Sequence, residues 1–246
     1  MILTIDIEFL DQTSKEIKKL LSLLKKHNAK ATFFIQTNQI SKHKDLIKLI
    51  SKNHEIGSHT ENHHNLQKID KKILQNELVS SKEKIKRLGI KCKGFRAPYN
   101  LLPKSFFQIS KKIYEYDSSQ TSFYFPFRYN YRKYPNKPYK LSEKMYEFPI
   151  SNFTVFKFPA LLSFLKLTYP LIILPRLDKK VFSMHDYDLK KGIFDKNASF
   201  FVRFMQKINS GKIAFYILEK LIEKQEKVIS CEEFLSDLRD KEQQIQ

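Results

Sequence analysis

With 246 residues, 41% of them hydrophobic and 13% aromatic, the chain is long and apolar enough for one large folded domain, which excludes a disordered chain. Lys and Arg number 45 against 26 Asp and Glu, a formal net charge of +19 that favours anionic partners, although the lysines are scattered rather than blocked. The two cysteines, Cys92 and Cys231, stand in neither metal nor disulfide spacing and fit a reducing compartment.

Taken in chain order, residues 2–7 are a short apolar run that reads as a central buried strand delivering two acids, Asp6 and Glu8. The same start lacks a basic region followed by a long apolar one, so no signal peptide is expected and the location is read as cytoplasmic. Thr13 to Glu16 has the form of a capping box, after which Ile17, Leu20, Leu21 and Leu24 mark an apolar helix face ending near Asn28. Residues 31–35 form a second buried strand, Ser41 can cap a second helix, and a third strand ends at Ser58. His59 and His63 follow, four residues apart, and would share one face if a helical turn begins there. On spacing alone, a metal-binding pair and a polar loop are equally good readings, with His64 a bystander.

A third helix should begin near Asp70, carry Leu74, Leu78, Ile85 and Leu88 inward, and stop at Gly89. Gly94-Phe95-Arg96 is a short strand, residues 103–112 look helical, and residues 114–117 look like another strand. Residues 121–140 are an aromatic and basic insertion, read as a rim that also touches substrate. Strand character returns at 147–150 and at 181–185, which ends on His185. Between them, residues 158–175 are the most apolar segment, interrupted by Pro159, Lys166 and Pro170. A spanning helix needs roughly 20 mostly apolar residues, so a buried helix is expected, with peripheral membrane-surface contact the lesser alternative. Helices at 200–208 and 213–222, a last short strand at 228–230 and a frayed tail over 239–246 complete the reading. Strand and helix alternate at a spacing that implies parallel βαβ units in a single domain over 1–246.

Four strand ends now present polar groups: Asp6 with Glu8, His59 with His63, Arg96, and His185. In a parallel barrel these ends open on one face, and a carboxylate with two histidines is a common hydrolytic zinc set. That convergence tips the histidine pair towards metal.

Several stretches in order resemble the polysaccharide deacetylases of carbohydrate esterase family four: Leu3-Thr4-Ile5-Asp6-Ile7-Glu8, Ala31-Thr32-Phe33-Phe34, His54-Glu55-Ile56-Gly57-Ser58-His59-Thr60-Glu61-Asn62-His63 and Phe95-Arg96-Ala97-Pro98-Tyr99. Tyr116-Asp117-Ser118-Ser119, Glu147-Phe148-Pro149-Ile150-Ser151 and Met184-His185 continue the series. The resemblance implies an α/β fold, a distorted (β/α) barrel of about seven parallel strands, that removes acetyl groups from N-acetylated carbohydrates with a divalent metal. It implies Asp6 as general base, His185 as general acid, and Arg96 as the group that steadies Asp6. His59 and His63 become metal ligands, and Pro98 and Tyr99 the groove wall, with the Tyr99 N–H facing the oxyanion. Asp117 would hold and tune His185.

This chain departs from the family's usual pair of adjacent aspartates, since Ile7 follows Asp6, and it has no tryptophan. Relatives with an acid-x-acid order make Glu8 the third ligand, and alternation along a strand puts it on the face of Asp6. Zinc suits the set, as do cobalt, nickel and iron, and some family members work without metal. Two other functions compete: deacylation or deformylation of a different non-peptide C–N bond, and non-catalytic binding of anionic glycan or nucleic acid, with nucleic acid ranked last because scattered lysines need not form a patch.

Overall fold

The computed structural model describes residues 1–125, 129–194 and 199–245. In chain order, β1 (Ile2–Ile7) leads into α1 (Leu10–Lys26), β2 (Thr32–Ile35) into α2 (Lys44–Ser51), and β3 (Glu55–Ser58) into α3 (Lys71–Lys86). Then come β4 (Gly94–Phe95), α4 (Phe106–Ser110) and β5 (Tyr116–Asp117). The middle of the chain adds β6 (Tyr124–Phe125), β7 (Tyr129–Asn130), β8 (Tyr139–Ser142), β9 (Met145–Glu147), β10 (Asn152–Phe153) and β11 (Phe158–Pro159). α5 (Leu162–Thr168) precedes β12 (Val181–His185), and α6 (Phe200–Lys207), α7 (Lys212–Glu223) and α8 (Cys231–Ile245) follow.

Eight strands share one sheet in the order β12-β1-β2-β3-β4-β5-β9-β8. Every neighbouring pair is parallel except β8 with β9, so seven strands run together and the eighth is an antiparallel edge. The sheet curls until its ends approach. Past β9, Ile150 bridges Val181 in parallel, Ser151 N–H donates to Val181 O at 3.0 Å, and Val181 N–H donates to Ser151 Oγ at 2.9 Å. The result is the expected distorted barrel of about seven parallel strands.

Alternation along the strands sorts side chains into two apolar layers. On β1, Leu3, Ile5 and Ile7 pack outward with the helix faces, whereas Ile2 joins Phe34, Tyr116, Phe148 and Val181 inside the barrel. Cys231 and Leu235 of α8 close the floor of that interior. Glycine is required where two large rings fill it. A Cβ on Gly94 would lie 2.0 Å from Tyr116 Cζ, and one on Gly57 would lie 2.5 Å from Phe34 Cδ1. Because Thr4, Asp6 and Glu8 share the parity of Ile2, the acids rise from this interior at its open end.

Several local expectations give way to distant partners. α1 starts at Leu10, so Thr13 lies inside it rather than capping it. The Asp186 carboxylate caps instead, accepting Phe9 N–H at 2.8 Å, Glu8 N–H at 3.3 Å and Thr13 Oγ1–H at 2.8 Å. α2 begins at Lys44 with His43 at its cap position, beyond Ser41. α3 obeys its local signals: Asp70 accepts Ile73 N–H at 2.8 Å, and Gly89 beyond its end takes a φ of 76°. The helix expected over 103–112 shrinks to Phe106–Ser110. The insertion over 121–140 falls partly outside the described residues; its remainder is tied to the barrel through Asn136, whose Oδ1 accepts from Ser122 Oγ at 2.8 Å and Asn152 N at 2.6 Å. The tail expected to fray is helical through Ile245, and Arg239 and Glu242 anchor it to Glu115 and Lys140. Among the described residues, no helix is long and apolar enough to cross a membrane.

Candidate active site

Arg96 is fully buried and donates through all three guanidinium nitrogens. Nη1 donates to Asp6 Oδ1 at 2.8 Å and Ser183 Oγ at 2.9 Å, Nε to Ser118 O at 2.8 Å, and Nη2 to Ser118 Oγ at 2.7 Å. Its face rests 4.5 Å from the Phe34 ring centroid. This fixes one oxygen of Asp6 and turns the other, Oδ2, towards His185 Nε2 at 3.6 Å.

Glu8 meets the histidine pair one step further out. Its Oε1 lies 3.2 Å from His63 Nε2 and 3.6 Å from His59 Nε2. Burial works to push the Glu8 carboxyl up, but His63, His59 and His185 outweigh it and hold the group well below the usual carboxylate range. His59 Nδ1 sits 2.8 Å from Arg96 O. A carbonyl only accepts, so Nδ1 carries a proton, and Nε2 is the ring nitrogen left facing Glu8. That buried nitrogen has no hydrogen-bond partner among the described residues. Ligand atoms sharing an ion at about 2.1 Å in tetrahedral geometry stand about 3.4 Å apart. The observed separations bracket that spacing, and the ligand atoms of Glu8, His59 and His63 lie within 4.8 Å of one another. The donor set fits a divalent cation.

The helical turn expected at the histidines is absent; residues 59–65 form an irregular loop. Thr60 and His63 take left-handed φ values of 63° and 56°, and Thr60 Oγ1 accepts His63 N–H at 3.1 Å. These bends, rather than helical periodicity, aim both imidazoles at Glu8. Glu77 of α3 holds the loop: it accepts Glu61 N–H at 2.8 Å, Asn62 N–H at 3.2 Å and Asn62 Nδ2–H at 2.8 Å, and pairs with His64 at 3.1 Å.

Residues 1–115 match the family model for polysaccharide deacetylase. The matched segment is 115 of the 246 residues and includes Asp6, Glu8, His59, His63 and Arg96. Peptidoglycan-N-acetylglucosamine deacetylase of Bacillus cereus is 39% identical to this chain over 83 residues, 33% of this chain and 30% of that protein. The uncharacterized protein YlxY of Bacillus subtilis is 34% identical over 96 residues, 38% of this chain and again 30% of that protein. The matches thus span under a third of these curated relatives. Among solved structures, wild-type BA3943 of Bacillus anthracis, a CE4 family pseudoenzyme, aligns over 94% of this chain and 63% of its own with a TM-score of 0.58 at 17% identity, which shows a shared fold.

The remaining expected residues divide. Pro98 is buried, and Tyr99, in a left-handed conformation with φ of 60°, sets its ring edge against His63 at 4.8 Å between centroids. His185 stacks flat on Tyr187, 4.5 Å between centroids, and its Nε2 lies 3.8 Å from Glu8 Oε1. Asp117 is a correction. Its carboxylate accepts Ser119 Oγ–H at 2.6 Å and Ser119 N–H at 3.2 Å, and β5–β9 pairing sets it beside Glu147, so it is spent on that network rather than on His185. Burial pushes the carboxyls of both Asp117 and Glu147 up. Among the described residues His185 Nδ1 has no hydrogen-bond partner; the Tyr187 ring orients the imidazole instead.

The sequence reading missed three supports. Glu77 was the most visible, because it interrupts the buried stripe Leu74, Leu78, Ser81 and Ile85 of α3 with a charge. Asp188 accepts His185 N–H at 3.0 Å and is held by Lys166 at 2.7 Å, both side chains fully buried. Ser183 shares its barrel-facing parity with His185, yet a serine there carries no signal of its own.

Proposed function

We propose that this protein is a metal-dependent hydrolase that removes the acetyl group from an N-acetylated carbohydrate, releasing acetate and a free amine. The carrying observation is the juxtaposition of two devices: the Glu8, His59 and His63 donors, spaced for one ion, and the Asp6–Arg96 pair with His185 beside them. A divalent cation bound by those three side chains would act as a Lewis acid towards an amide carbonyl and acidify water.

The chain's own groups would carry the protons. Arg96 occupies one oxygen of Asp6 and orients the carboxylate, so the other oxygen would serve as acceptor for the proton of the attacking water. His185, stacked on Tyr187, stands within reach of that same space and would donate to the nitrogen as the C–N bond breaks. The left-handed turn at Tyr99 brings its backbone and ring to the edge of the site beside His63, which suits the N–H to receive charge developing on the carbonyl oxygen.

The test combines metal analysis with acetate release from N-acetylglucosamine oligomers. Wild-type protein should hold about one equivalent of zinc, cobalt, nickel or iron, and His59→Ala/His63→Ala none. Asp6→Asn should keep the metal and lose acetate release by at least about a thousandfold. Metal retained by the double variant, or full activity of Asp6→Asn, would remove the basis of the assignment. A panel including formamido sugars separates deacetylation from deformylation by the same residues.

A further inference from the structure

A group of large apolar side chains outside the candidate site faces solvent. Leu171 is 92% exposed, Val155 89%, Ile173 81%, Phe200 79% and Phe156 77%, with Phe201, Phe204 and Tyr216 about half exposed. They are joined through α5. Phe156 packs on Phe158, with centroids 5.7 Å apart, and Phe158 stacks on Phe164 of α5 at 5.2 Å. α5 packs against both α6, which carries Phe200, Phe201 and Phe204, and α7, which carries Tyr216. Tyr169, directly after α5, meets Tyr216 at 6.2 Å, and Leu171 N–H donates back to Thr168 O at 2.8 Å. An apolar surface of this extent on a folded protein marks contact with another phase or partner.

Charge indicates which. The stretches 148–177 and 199–218 supply every one of these side chains, and neither contains an Asp or Glu, in a chain with 26 acids. The same stretches carry Lys157, Arg176, Arg203, Lys207 and Lys212. An apolar face whose own stretches carry cations and no acids, on a chain of net charge +19, complements a boundary that is anionic outside and apolar within. Since no described helix can cross a bilayer, such contact is peripheral. Phe200, Phe201 and Phe204 share a short amphipathic helix with Arg203 and Lys207, whose stems can run along an apolar surface while their charges stay at the headgroups.

We propose that the face built from α5, α6 and residues 154–157 and 169–174 docks this protein on anionic lipid bilayers. The proposal stands independently of the chemistry assigned to the metal-type site. Co-sedimentation of the full chain with phosphatidylcholine vesicles, with and without phosphatidylglycerol, tests it. Binding should require the anionic lipid and weaken as salt rises. Val155→Ser/Leu171→Ser/Ile173→Ser/Phe200→Ser should partition about tenfold or more weakly, with unchanged thermal unfolding because the four side chains are largely solvated in the free protein. Arg203→Gln/Lys207→Gln should reduce binding to mixed vesicles towards that of pure phosphatidylcholine. Failure to bind either vesicle would overturn the proposal, as would equal binding to both. So would a concentration-dependent dimer abolished by the four serines, which would assign the face to a second copy of the chain.

Discussion

Replacing Glu77 with alanine tests whether α3 builds the histidine loop or merely lies beneath it. The substitution removes the common acceptor of Glu61 N–H, Asn62 N–H and the Asn62 side-chain amide, together with the partner of His64. Hydrogen bonds to a charged group contribute about 1.5–3 kcal/mol each, and water can replace part of that here because Glu61 and Asn62 reach solvent. The expected net loss is therefore about 2–4 kcal/mol of stability. The larger consequence falls on His63. Its left-handed φ of 56° is a conformation that a histidine holds only when its surroundings impose it, and without Glu77 the loop has less reason to keep it. Zinc affinity, measured by competition with a chromophoric chelator, should fall about 10- to 100-fold, the range seen when groups supporting a metal ligand are removed. Glu77→Gln, which retains one acceptor, should fall between the two. Wild-type zinc affinity in a destabilised Glu77→Ala protein would refute the reasoning, because it would show that His63 needs no support from α3.

Three further outcomes follow from other parts of the fold. Lys166→Met should lower the urea midpoint by the equivalent of about 3–5 kcal/mol, since it leaves the fully buried Asp188 without its cation; adding Asp188→Asn should recover much of the loss. Glu55, buried against Thr32, Tyr116 and the Glu232 N–H, is pushed up by burial to about 7 from an ordinary 4.5. Its protonated form is favoured in the native state, so that contribution is full below pH 4.5 and is lost as pH rises through about 7. Chemical unfolding of Glu55→Gln and wild type across that window should diverge by about 3 kcal/mol in favour of the variant at the alkaline end, and parallel curves would contradict the shift. Gly94→Ala sets a Cβ 2.0 Å from a Tyr116 ring that is fully buried and tied by its hydroxyl to Glu55, so calorimetry should show a loss of about 3 kcal/mol or more.

The strands that frame the site were legible because their signal is local. Apolar runs at Ile2–Ile7, Thr32–Ile35 and Val181–His185 have no amphipathic alternative, and period-two alternation alone sets Asp6 and Glu8 on one face. α3 was equally readable, from an Asp70 cap to a left-handed Gly89, since both act on backbone groups within a turn of themselves. What stayed hidden depends on residues far apart in the chain. The cap of α1 comes from Asp186, the orientation of His185 from Tyr187 and the buried Lys166–Asp188 pair, and the aim of His63 from a loop that Glu77 pins. Asp117 had the right residue type near the right place, yet pairing of β5 with β9 set Glu147 beside it and took it out of the site. Local sequence thus determined which groups lie at the open end of the barrel. Only the tertiary structure decided which of them meet, because a carboxylate's partner is set by whichever donors folding brings within about 3 Å, and these come from elements that sequence spacing does not relate.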